Sequence, residues 1–225
     1  MPDLSPVHIT TRSGDVRVLT EEGIELSVDG GTIEQHDDGT IHVRRAPSSG
    51  TIEVRCAPGT DVTVGTVSGK IELLGTLGAV RVATVSGKIR VVEAARIDVR
   101  TKSGKIDIGT CSGECRIMTK SAGVHVGSAG RATVAAISGV VLLEHVGGAE
   151  VKTVSGKVLL SLAPSAGSVS VHTVSGKVEV RVPAATRPTT RLRSISGRIQ
   201  CDCPPGEDGE IAVASVSGAI RVSSD

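Results

Sequence analysis

Hydrophobic and polar positions alternate along most of this chain in short runs of period two, the pattern of strands with one side on a core and one in water. The runs come in pairs. After each Ser-Gly step an apolar-x-apolar triplet appears: Ile71/Leu73, Ile89/Val91, Ile106/Ile108, Val124/Val126, Val141/Leu143, Val158/Leu160, Val178/Val180, Ile199/Cys201 and Ile220/Val222. A second triplet lies about halfway to the next step: Val80/Val82, Ile97/Val99, Cys115/Ile117, Ala132/Val134, Ala149/Val151, Val169/Val171, Thr190/Leu192 and Ile211/Val213. The spacing predicts two short strands per repeat, joined at Gly-rich corners.

The corners are near copies of one another. Thr66-Val-Ser-Gly-Lys-Ile71 recurs at Thr84, Thr101, Thr153 and Thr173, with looser versions at Thr119, Ala136, Ser194 and Ser215. Their serines stand at 68, 86, 103, 121, 138, 155, 175, 196 and 217, so the steps run from 17 to 21 residues. A unit of two strands cannot bury its own apolar side, but stacked units bury a continuous one. The expected fold is all-β: a single β-solenoid (β-helix-like) with about 17–21 residues per rung, the rungs stacked in chain order. Outward residues of successive rungs then lie about 4.8 Å apart. The series Arg81, Asp98, Arg116 and Glu72, Arg90, Asp107 alternate in sign, as neighbours across a ladder should.

Residues 1–60 are less regular. Thr11-Arg-Ser-Gly reads as one more corner, and the short apolar runs around Ile24, Ile33, Ile41 and Ile52 are separated by Asp29-Gly-Gly31 and Asp38-Gly39, which are hairpin signals. This part is expected to form an N-terminal antiparallel β-meander cap on residues 61–225, the repeats, within one continuous structural domain.

Composition narrows the picture. The chain has 225 residues, 28 Gly and no Phe, Tyr or Trp. A narrow coil has room for Val and Ile, which stack on themselves, and little for a ring. No stretch approaches the roughly 20 apolar residues of a membrane span, and the segment after Met1 lacks the basic-then-apolar order of a secretory leader. A cytoplasmic setting is the default expectation, with surface exposure by another route left open.

Charge follows the layout: residues 1–60 carry five basic and ten acidic side chains, residues 61–200 nineteen and nine, residues 201–225 one and five. Gly65-Thr-Val-Ser-Gly69-Lys70 superficially resembles a phosphate-binding loop. The glycines are too close, Ile71 stands where Ser or Thr should bind magnesium, and a strand follows instead of a helix. Of the five cysteines, Cys56, Cys115, Cys201 and Cys203 keep the inward phase and read as core; Cys111, near a corner, is ambiguous, and its pairing with Cys115 stays open. The six His residues are dispersed, with His8, His42, His125 and His172 in outward phase. Neither a metal-ligand spacing nor a G-x-S-x-G elbow is present. No catalytic residue, cofactor or metal is assigned, and without aromatic rings specific nucleic-acid recognition is not expected.

Two surfaces qualify for binding. Lys70, Lys88, Lys105, Lys157, Lys177 and Arg198 form a ladder of cations just after successive corners, suited to an anionic polymer or lipid headgroups. Where the ladder breaks, Val140, Leu142 and Leu159 form an outward aliphatic patch suited to a protein partner or self-association. A further apolar slot, just before each corner serine, holds Val67, Val85, Ile137, Val154, Val174, Ile195 and Val216. The corner is expected to turn this slot inward; otherwise it is a long interface.

The succession Pro58-Gly59-x-Asp61-Val-x-Val64-x-Thr66-Val-Ser-Gly-Lys-Ile, followed by serial T-x-S-G-[KD]-[IV] repeats, resembles the bacterial adhesin-type β-repeat family, a domain of unknown function. The resemblance covers roughly residues 7–222. It implies a β-solenoid and, through the family's name, adhesion; it supplies no catalytic or binding residues. The expected function is that of a non-enzymatic, adhesin-like binding or scaffold module using a lateral face. Attachment to an anionic surface along the ladder and a self-assembling cytoskeletal-type scaffold are the alternatives.

Overall fold

A computed structural model describes residues 5–24, 26–37, 39–44, 50–164 and 167–224. The protein is all-β, its strands mostly parallel, and it divides into two compact units, Met1–Ser112 and Gly113–Asp225.

The first unit contains β1 (Val7–Thr10), β2 (Asp15–Thr20), β3 (Leu26–Asp29), β4 (Thr32–Gln35), β5 (Ile41–Arg44), β6 (Thr51–Cys56), β7 (Val62–Gly65) and the beginning of β8 (Ile71–Ser138), a strand that continues into the second unit. β1 pairs in parallel with both β5 and β7, and β2 with both β6 and β8. The rung of residues 7–20 therefore lies between those of residues 41–56 and 62–74. Spatial order departs from chain order here. The expected meander is corrected accordingly: among the described residues antiparallel pairing is confined to β3 on β6 and β4 on β5, which together cover the outer side of the 41–56 rung. The β4–β5 hairpin turns where Gly39 was expected to turn it, with Gly39 at φ 79°; Asp38 lies outside the described residues. Beneath this cover Ile52, Val54 and Cys56 are fully buried.

The second unit holds the rest of β8 with β9 (Val140–Val146), β10 (Ala149–Leu162), β11 (Ser168–Val182), β12 (Thr189–Ser194), β13 (Ile199–Asp202), β14 (Glu210–Ser217) and β15 (Ile220–Ser224). β10 and β11 each carry both triplets of a repeat and pair in register from Ala149↔Val169 to Ser161↔Arg181. Aliphatic columns result: Val141, Val158, Val178 and Ile220, and beside it Leu143, Leu160, Val180 and Val222. All eight are buried, each worth about 1.5–3 kcal/mol.

The end of this stack is transposed as well. β14 and β15 pair with β11, while β12 and β13 pair with β14 and β15. The rung of residues 189–202 is outermost, and that of residues 210–224 lies beneath it, against the serial order expected. Thr190, Leu192, Ile199 and Cys201, expected inside, are half-buried or exposed because nothing among the described residues lies over them.

The corner glycines explain the near-identity of the repeats. Gly156 sits at φ 142°, and a Cβ there would fall on the carbonyl oxygen of Gly139. Gly176 stands in the same relation to Gly156, Gly218 to Gly176 and Gly197 to Gly218. Only a residue without Cβ lets consecutive corners approach this closely.

Candidate interaction surface

At each regular corner the threonine points inward. Thr153 and Thr173 are buried, and their Oγ1 donate to the carbonyl oxygens of Ser155 and Ser175, both at 3.3 Å. Thr66, Thr84 and Thr101 do the same in the first unit. The corner needs a donor for its own carbonyl, and Thr supplies one where Val cannot. The next residue must then point out. This overturns the expectation that the apolar slot turns inward: Val67, Val85, Ile137, Val154, Val174, Ile195 and Val216 are all exposed, Val154 and Val174 to 49% and Ile195 to 83%.

In the second unit these side chains form one column. The pairings Thr153↔Ala136, Thr153↔Thr173, Thr173↔Ser215 and Ser194↔Ser215 place Ile137, Val154, Val174, Val216 and Ile195 on successive rungs. Five rungs at about 4.8 Å make a ridge roughly 19 Å long. It is convex, because Thr153 on one side and Val158 on the other both face the core that the corner wraps. The nearest outward positions, two before and three after each ridge residue, hold Lys152, His172, Arg193, Lys157, Lys177 and Arg198 and no acid.

The predicted patch borders this ridge. Leu142 and Leu159 are direct register partners, both half-buried, and Val140, 49% exposed, sits beside Lys157. Val140 lies three residues beyond Ile137, so ridge and patch form one apolar surface in this unit.

A family model described as Toastrack DUF4097 matches residues 35–222. The chain belongs to the Toastrack family. No curated protein and no solved structure gives a significant match. Membership brings no activity, ligand or site residue with it, so the surface of this Toastrack chain must be read from its own side chains.

Its cation ladder is partly compensated. Lys70 Nζ lies 2.6 Å from Glu72, Lys177 is ion-paired to Glu179, and Lys157 lies 4.0 Å from the same carboxylate. The hydrogen bonds from Lys70 and Lys177 hold Glu72 and Glu179 below the usual carboxylate range. Lys88, Lys105, Lys157, Lys177 and Arg198 are exposed and Lys70 half-buried. Lys157 and Lys177 are neighbours as expected, but Lys177 and Arg198 are not, since the rung carrying Ala219 intervenes. Opposite signs alternate across rungs at a different set from the expected series, Glu53, Arg17 and Glu72, where Arg17 lies 4.0 Å from Glu53 and 3.3 Å from Glu72. Elsewhere many pairs join residues two apart on one strand, such as Arg100 with Asp98 and Lys152 with Glu150.

Cys56, Cys111 and Cys115 are buried and form no disulfide, and burial pushes the Cys56 thiol up. The core reading of Cys201 and Cys203 is corrected: Cys201 is exposed because it lies in the outermost rung, and Cys203, just beyond that rung, is half-buried. The histidines are not all dispersed. His8 and His42 are register partners with ring centroids 5.0 Å apart, and His36 lies 4.3 Å from His42. Pairing of β5 with both β1 and β4 brings them together, which spacing along the chain does not reveal. A shallow depression of about 430 Å³ between Glu144, His145, Ser161 and Arg181, and one of about 400 Å³ near Arg81, Asp98 and Arg100, each carry a single carboxylate. No helix of the described residues is long and apolar enough to cross a membrane.

Proposed function

We propose that this Toastrack chain is a β-solenoid binding module without catalytic activity, which engages a protein partner through the lateral face formed by the ridge and the Val140, Leu142, Leu159 patch. The observation that carries the reading is the column of five exposed, in-register branched aliphatics in the second unit. Such side chains gain nothing from water and stand on a rigid scaffold, so little entropy is lost when a partner covers them. Of the flanking cations Lys152 and Lys177 are already ion-paired to Glu150 and Glu179, so the apolar column and not the charge carries the contact. The competing use of the Lys ladder for an anionic polymer is weakened by Glu72 and Glu179, which already neutralise part of it.

The test is a photo-cross-linking residue at Val174, compared with one at exposed Arg131, in the source cell. A discrete adduct at Val174 that is lost on Val154→Asp and persists at high salt is expected. Identical adducts at the two positions would sink the lateral-face reading, and loss of the adduct in salt alone would hand the function to the ladder.

A further inference from the structure

The outermost rung of the second unit ends the stack with an open edge. β12 pairs only with β14, and β13 only with β15, among the described residues. All four residues of β13 are exposed, including Ile199 at 42%, whereas its register partners Ile220 and Val222 are buried. The first unit shows how this fold closes such an edge. There the outermost rung is covered by antiparallel strands, and its inward Val43, Ile52, Val54 and Cys56 are buried. Among the described residues no equivalent antiparallel strand lies on β13.

The backbone of β13 is set to receive one. Ile220 N donates to Arg198 O, so in the alternation of a parallel ladder Arg198 and Gln200 direct their backbone groups to β15. Ile199 and Cys201 therefore turn their N–H and C=O groups to the open side. An incoming antiparallel strand must make its hydrogen-bonded pairs at those two residues. If that strand is β13 of a second copy, Ile199 of each chain pairs with Cys201 of the other, and Gln200 faces Gln200. Arg198 of each chain then faces Asp202 of the other. The segment Arg198-Ile-Gln-Cys-Asp202 is thus complementary to itself in reverse: charges meet opposite charges outside, and apolar residues meet inside.

We propose that β13 is the interface of a two-fold symmetric dimer, in which two copies of this chain join edge to edge at the 189–202 rung. Such an interface is isologous and closes on itself, so it consumes the open edge instead of propagating it. The contact is short, so association is concentration-dependent.

The test is sedimentation velocity on the full chain over a concentration series, with charge variants at exposed positions that leave the fold intact. Wild-type protein is expected to shift from monomer to dimer. Arg198→Asp and Asp202→Arg each place two like-charged pairs across the two-fold and are expected to weaken the dimer about ten-fold or more. Mixed together, the two single variants restore both opposite-charge pairs and are expected to form a heterodimer. Cys201→Pro, which removes an outward N–H without touching the ladder to β15, is expected to abolish association. A chain that stays monomeric throughout, or a dimer indifferent to both charge reversals, would overturn the proposal. So would open-ended polymers, or a dimer lost on Val174→Asp but not on Arg198→Asp.

Discussion

Replacing Gly156 by Ala isolates the contribution of the glycine corners. Gly156 has φ 142°, where a Cβ is strained, and that Cβ would fall on Gly139 O. The oxygen cannot retreat freely, because it accepts the Lys157 amide at 3.2 Å. The conformational part costs about 1–2 kcal/mol, and forcing a methyl into filled space adds about 1–3 kcal/mol. Gly23→Ala separates the two. Gly23 has φ 81°, and a Cβ there meets nothing within 4 Å, so that variant carries the conformational cost alone. Urea denaturation followed by circular dichroism, with the slope checked for constancy, measures both losses. Gly156→Ala is expected to lose roughly 2 kcal/mol more than Gly23→Ala. Losses equal to within about 0.5 kcal/mol would refute the view that stacked carbonyls, and not the turn angle alone, keep glycine at the regular corners, the looser one at Thr119 having Ala122 in that place.

Thiol labelling of the native chain with an aromatic disulfide should modify Cys201 quickly and Cys203 more slowly, its thiol being raised by burial, while Cys56, Cys111 and Cys115 react only on unfolding; rapid labelling of Cys115 would contradict the buried columns. Because Glu179 is held below its unfolded value by Lys177, its contribution is present above the unfolded carboxylate range and is lost as pH falls through the lower folded value. Lys177 is exposed and Glu179 half-buried, so the pair is worth about 0.2–1 kcal/mol; acid titration of stability should flatten slightly in Glu179→Gln, and a steeper profile would show the sign to be wrong.

The repeats are legible because the fold writes the same constraints at each rung. A Ser-Gly step marks the carbonyl contact, a Thr marks the inward donor, and each triplet marks a core column. The ridge was visible as a slot at Val67 through Val216 but not as exposed, since two apolar positions compete for the corner. The decisive residue is Thr153, which in the period-two phase of Ala149 and Val151 already occupies the inside. The transpositions are harder to read, because every rung offers its neighbours similar chemistry and spacing cannot choose between them. A signal is nonetheless present: the 189–202 rung places Thr190 and Cys201 where the 210–224 rung has Ile211 and Val222, and the more polar set belongs at the end. Charge sums over residues 201–225 mislead for the same reason, since the outermost rung carries Arg191, Arg193 and Arg198.

The transposed order has a consequence for synthesis. A chain leaving the ribosome presents residues 189–202 before residues 210–224, the segment on which they finally rest, have been made. The β11 edge is then vacant and offers the early arrival a matching seat. Reaching the native order requires the later segment to claim that seat, either by displacing the first occupant or by arriving while it is still loose. Nascent chains paused between the two segments are therefore where an alternative register competes most strongly with the final one.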